Sequence, residues 1–193
     1  MRLLILGGTA WLGRTVAQVA VERGITVTCL ARGSAEPPAG VDFVSADRDG
    51  PDAYRAVTGI GWDAVLDVSR QPGQIRRAVE ALRERSASFV FVSSGNVYAD
   101  HGTPGQDEHA ELLPALAGDV MTSMEVYGQA KVAGERSVLD GFGPDRSLVA
   151  RVGLIGGPGT PPTAPGTGHC GSPDRPPGTA RCSCRRCRGC PPS

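Results

Sequence analysis

A short apolar strand that runs straight into a glycine-rich turn and then into an amphipathic helix leaves a chain few architectures. Arg2–Leu6 (RLLIL) is such a run, and Gly7-Gly8-Thr9-Ala10-Trp11-Leu12-Gly13 is the turn. Beyond it, Leu12, Val16, Val19 and Ala20 recur at helical spacing until Gly24 stops the helix. A strand apolar on both faces belongs inside a sheet covered by helices on both sides.

The pattern repeats down the chain. Strands are expected at Ile25–Leu30, Val41–Val44, Trp62–Val68, Ser88–Val92 and around Leu148–Ile155, with helices at Gln74–Arg85 and from about Val120 to Leu139. Strands alternating with helices pair in parallel, so the expected fold is α/β: a doubly wound, Rossmann-like parallel sheet of about six strands. In such sheets ligands bind beyond the carboxyl ends of the strands, where the strand order switches.

Composition divides the 193 residues in two. Residues 1–157 carry 15 basic and 19 acidic side chains, whereas residues 158–193 carry five Arg and one Asp. That last segment holds nine Pro, six Gly and five of the six Cys, with only Ala164 and Ala180 as aliphatic side chains. It offers too little apolar surface to offset the entropy of ordering its backbone, and reads as a disordered, out-of-frame tail. Four cysteines fall in Cys182–Cys190, but as one cluster without hydrophobic support, so no metal site is expected. His101, His109 and His169 show no metal-ligand spacing, and Glu108 and Glu111 read as solvated.

The balance of 20 basic and 20 acidic groups gives no electrostatic reason to expect nucleic acid or an anionic membrane as partner. With no long apolar run and no export signal, the expected compartment is the cytoplasm. A small-molecule substrate is the expected partner, and a homodimer the assembly considered.

Glycines at 7 and 13 suit a turn that lets a pyrophosphate approach the backbone at a helix N-terminus. Tyr127-Gly128-Gln129-Ala130-Lys131 sits in a predicted helix, where i, i+4 spacing puts phenol and ammonium on one face. A phenol is a weak base at neutral pH, and a neighbouring ammonium stabilises the phenolate. The chain has 19 Arg and this single Lys, so ammonium chemistry is set apart here.

Gly7, Ala10 and Gly13 fit G-x-x-G-x-x-G with Ala in the middle; Ser93-Ser94-Gly95-Asn96-Val97-Tyr98 fits S-S-x-x-V-Y; Arg151 to Gly159 resembles R-x-x-x-x-G-P-G, with one residue more before the Gly-Pro-Gly. With Tyr127 and Lys131, these motifs resemble the short-chain dehydrogenase/reductase superfamily, in particular its extended NAD-dependent epimerase/dehydratase branch, truncated at the C-terminus. The resemblance covers residues 1–159. It implies an NAD(P)-dependent oxidoreductase or epimerase acting on a carbonyl or hydroxyl substrate, a nucleotide sugar among the candidates. The alternative is a non-catalytic NAD(P)-binding protein or an inactive fragment.

The implied catalytic residues are Ser94, Tyr127 and Lys131. Cofactor contacts fall to Gly7, Thr9, Ala10, Trp11, Leu12, Gly13, Arg32, Asp47, Arg48 and, at the nicotinamide ribose, Lys131. NAD-preferring relatives carry an acidic residue after the second strand; here Ala31-Arg32 stands there, which favours NADP over NAD. Asp67 ends the fourth strand where the family often has a His-Ala-Ala string.

Overall fold

The computed structural model describes residues 1–158 and Thr160. The tail expected from residue 158, with its cysteines, lies outside the described residues apart from Pro158 and Thr160. Residues Met1–Pro158 form one unit built on a parallel sheet.

The strands are β1 (Arg2–Leu6), β2 (Thr26–Ala31), β3 (Asp42–Ser45), β4 (Ala64–Asp67), β5 (Phe89–Ser94) and β6 (Ser147–Val152). The helices are α1 (Trp11–Glu22), α2 (Pro72–Leu82) and α3 (Tyr127–Phe142). The six strands lie in the order β3-β2-β1-β4-β5-β6, all parallel, as the alternation predicts. Strand order reverses between the central strands β1 and β4, so a ligand crevice opens beyond their carboxyl ends.

Burial follows the period of the strand. Leu4 and Leu6 face a core shared with Ile75, Val79 and Leu82 of α2 and with Val138 and Phe142 of α3. Leu3 and Ile5 face the opposite layer, where Ala17 and Ala20 of α1 pack with Val27 and Cys29. The α1 layer is the thinner one, and Val90 and Val92 of β5 are only half-buried on that side. The far edge strand exposes Leu148 at 59 %.

Several element bounds differ from expectation for local reasons. The last helix was expected from Val120, but Val120 is 62 % exposed and the chain is extended at Ser123. The Asp119 carbonyl accepts the Gly73 amide and the Met121 amide donates to Gln71 Oε1, tying this segment to α2. A single tight turn at Met124–Val126 then leads into a helix whose first residue is Tyr127. α2 starts at Pro72, where a missing N–H costs nothing, rather than at Gln74. β4 pairs only over Ala64–Asp67, with Trp62 in an isolated bridge to Ser86. β6 ends at Val152, its last residue paired with Ser94, instead of running to Ile155.

Candidate functional site

Beyond the carboxyl end of β1 the chain turns at Gly7, whose φ of +94° suits glycine and whose Cβ would lie 2.7 Å from the Val68 side chain. Gly13 needs glycine for a different reason. A Cβ there would meet the Gly7 carbonyl oxygen at 2.5 Å, so only glycine lets α1 approach the turn. Ala10 is the N-cap of α1 and gives it no side-chain hydrogen bond, and the first turn has no acidic residue. The amides of Trp11, Leu12 and Gly13 therefore open a helix whose own first turn supplies no acidic side chain to its positive dipole end. This is a cradle that fits a diphosphate. Trp11 is held aside, its indole N–H donating to the Pro158 carbonyl at 3.1 Å.

A cavity of about 410 Å³ extends from this turn along the ends of β2 and β3. Gly7, Thr9, Ala10, Arg32, Asp47 and Arg48 line it, bringing together six of the residues expected to hold a cofactor. Arg32 and Asp47 are exposed, and Asp47 Oδ1 accepts the Asp49 amide at 3.1 Å.

Arg48 differs from the expectation of a cofactor-facing cation. Its guanidinium turns inward, and all five of its N–H groups are committed to protein oxygens. Nε donates to the Tyr54 hydroxyl at 2.8 Å; Nη1 donates to Asp67 Oδ1 at 3.0 Å and to the Ser69 hydroxyl; Nη2 donates to Asp67 Oδ2 at 2.7 Å and the Gln74 carbonyl at 3.1 Å. What Arg48 contributes to the cavity is wall. Burial works against the charge of each partner, yet the pairing prevails: Asp67 is held below the usual carboxylate range and Arg48 above its ordinary value. Asp67, which stands where relatives often have another sequence, is thus the buried counter-ion that ties the loop after β3 to the end of β4.

Asp67 Oδ1 also accepts the Ser69 amide at 2.8 Å, and the Ser69 carbonyl in turn accepts from Lys131 Nζ at 2.6 Å. A second carbonyl, that of Val92, accepts from Nζ at 2.7 Å. Lys131 is 2 % exposed, and its ammonium lies 4.7 Å from the centre of the Phe91 ring and 5.9 Å from that of Tyr127. Burial lowers its proton affinity to a pKa of about 8, with the Arg70 charge adding to the fall and Asp67 and Glu135 opposing it.

Tyr127 is half-buried and faces a second cavity of about 590 Å³, which it lines together with Ser94, Asn96, Tyr98, His101 and Arg70. Ser94 caps the tight turn at Gly95–Val97: its hydroxyl accepts the Asn96 amide at 3.2 Å and donates to Asn96 Oδ1 at 3.1 Å. The three residues expected to be catalytic are thus gathered at the carboxyl end of β5. Ser94 and Tyr127 stand in the cavity wall, and Lys131 lies behind them.

The sequence reading missed a second buried network that holds α3 in place. Glu135, one turn beyond Lys131, accepts from the Ser93 hydroxyl at 2.5 Å and takes a two-pronged grip from Arg151 Nε and Nη2 at 2.8–3.2 Å. Arg151 also donates to the Tyr98 hydroxyl at 3.3 Å and the Glu108 carbonyl at 2.8 Å. The available signal was position: Tyr127, Lys131 and Glu135 recur every four residues on one face, and a carboxylate on a buried face needs a partner. Among the described residues no His, Cys, Asp or Glu cluster suits a metal ion, and no helix is long and apolar enough to cross a membrane.

The model of the NAD dependent epimerase/dehydratase family matches residues 3–163. A dTDP-4-dehydrorhamnose reductase from Streptomyces griseus is 30 % identical over 175 residues, covering 83 % of this chain and 52 % of the relative. The chain thus spans about half the length of that curated relative. Among solved structures, a UDP-galactose 4-epimerase superimposes with a TM-score of 0.63 at 20 % identity over 78 % of this chain and 55 % of the other. UDP-N-acetylglucosamine 4-epimerase from Bacillus cereus gives 0.58 at 19 % identity, covering 77 % and 55 %. A Bordetella bronchiseptica enzyme in complex with NAD gives 0.60 at 15 %, covering 78 % and 52 %. At these identities the structural likeness speaks for the fold.

Proposed function

This chain belongs to the NAD-dependent epimerase/dehydratase family, and from that premise we propose that it is an NAD(P)-dependent oxidoreductase or epimerase acting on a carbonyl or hydroxyl carbon. The observation that carries the reading is the shared wall of Ser94 and Tyr127 in one cavity, with Lys131 one helical turn behind Tyr127.

In this reading the Gly7–Gly13 turn and the opening amides of α1 hold the diphosphate, Thr9 and Ala10 line its approach, and Asp47 faces the adenine end. When bound, the nicotinamide supplies or accepts a hydride. The chain's own residues handle the proton. Ser94, its hydroxyl oriented by Asn96, positions the substrate oxygen by a hydrogen bond. Tyr127 gives a proton to that oxygen in one direction of reaction and removes it in the other. Lys131 keeps positive charge beside the phenol and, through its remaining N–H, reaches toward the ribose. Its two carbonyl partners fix where that charge sits.

NADP is the proposed preference, because β2 ends at Ala31-Arg32 with no carboxylate to select a free ribose, and Arg32 is exposed in the cavity wall. The proposed substrate class is a sugar carried on a nucleoside diphosphate, as the names of the reductase and epimerases above suggest. Replacing Tyr127 by Phe removes only the hydroxyl. Turnover should fall at least about a hundredfold with dinucleotide affinity unchanged, and retention of more than a tenth of the activity would refute the assignment.

A further inference from the structure

Among the described residues, Arg70 is the one side chain that lines both cavities. It lies in the loop three residues past the end of β4 and precedes Gln71, the N-cap of α2, so it stands at the switch in strand order. Its side chain is exposed and makes no ion pair or hydrogen bond among the described residues.

The surrounding charges make that position unusual. Among the described residues, Asp67 is engaged by Arg48, Glu135 by Arg151 and Asp49 by Arg77, while Asp47, in the wall of the first cavity, accepts the Asp49 amide. Lys131 has only carbonyl oxygens as direct partners. Among the described residues, the cavity that holds Ser94 and Tyr127 is lined by Arg70 and His101 and by no acidic side chain. The Arg70 charge already reaches Lys131, where it weakens proton binding. Among the described residues, Arg70 therefore faces the reacting end of the site with no acidic side chain beside it in that cavity, an arrangement that an anionic ligand would complete.

We infer that Arg70 is an anion-binding, specificity-determining residue, which grips a phosphate or carboxylate of the substrate at the junction of the two cavities. The inference rests on the dinucleotide reading above, because it assigns the turn at Gly7–Gly13 to the cofactor's own diphosphate and leaves Arg70 to the second ligand. A planar guanidinium suits either anion through two parallel hydrogen bonds.

The test uses the full chain saturated with NADP⁺ and two flat probes of like size, benzoate and benzamide, in calorimetric titrations. Benzoate should bind about tenfold or more tightly than benzamide, and Arg70→Gln should remove the preference while Arg70→Lys keeps part of it. NADPH affinity should change less than about threefold in Arg70→Gln, and thermal midpoints should not move, since the side chain is exposed and unpartnered. Equal binding of the two probes to the wild-type protein would overturn the inference and leave the dinucleotide reading intact. A loss of NADPH affinity in Arg70→Gln as large as the loss of benzoate affinity would also overturn it, by showing that the anion belongs to the cofactor. Failure of the wild-type chain to bind NADP⁺ would sink the dinucleotide reading itself and the inference with it.

Discussion

Burying the chain's single lysine should leave a signature in the pH dependence of stability. Lys131 loses proton affinity on folding, from the ordinary value of 10.5 to about 8. A cation whose folded value lies below its unfolded one destabilises the fold wherever it is protonated in both states, here below about pH 8. As pH rises from 8 toward 10.5, the folded state releases its proton first and the destabilisation fades, so stability rises. At ~1.4 kcal/mol for each tenfold change in proton affinity, the whole effect is about 3 kcal/mol. Most of it, about 2 to 3 kcal/mol, falls between pH 7 and pH 10.

The comparison is with Lys131→Met, which leaves the Ser69 and Val92 carbonyls without their donor at every pH. That loss shifts the stability of the variant by a constant. Tyr54, whose phenol is pushed up mainly by burial, titrates in both proteins and drops out of the difference. Urea unfolding at pH 7, 8, 9 and 10 without dinucleotide should show the wild type gaining about 2 to 3 kcal/mol on the variant across the series. A flat difference, or one that moves in favour of the variant, would show that Lys131 is not held as a desolvated cation.

Three further outcomes follow from the geometry. Gly13→Ala places a methyl 2.5 Å from the Gly7 carbonyl oxygen, between two backbones that cannot yield; we expect a loss of about 1–3 kcal/mol in urea unfolding and at least tenfold weaker dinucleotide binding, and unchanged binding would refute the cradle. Asp67→Asn leaves Arg48 buried without its counter-charge and should cost about 3–5 kcal/mol by the same measurement; because the carboxylate is depressed on folding, the wild-type advantage is fully present above the unfolded carboxylate value of about 3.9 and is lost as pH falls through the lower folded one. NADPH should bind at least as tightly as NADH in fluorescence titrations, and NADH binding tenfold tighter, about 1.4 kcal/mol, would refute the reading of Arg32.

Much of this molecule was legible in neighbouring residues. The apolar run Arg2–Leu6, the glycines at 7 and 13 and the alternation that followed implied a parallel sheet, because strand period, helix period and turn conformation are each decided within a few residues. Tyr127 and Lys131 were legible for the same reason, since spacing of four along a helix is itself a distance in space. Helix α3 was misplaced at its start because Asp119 and Met121 are held by Gly73 and Gln71, some fifty residues away. The electrostatics of the site belong wholly to this second kind. Asp67 was a departure from a motif until the fold set Arg48 against it, and Glu135 was one more charge on a helix until Ser93 and Arg151 closed around it. Arg70 was one of 19 arginines, with nothing in its neighbours to single it out. A charge takes its meaning from burial and from the other charges around it, and both are known only once strands distant in sequence lie side by side.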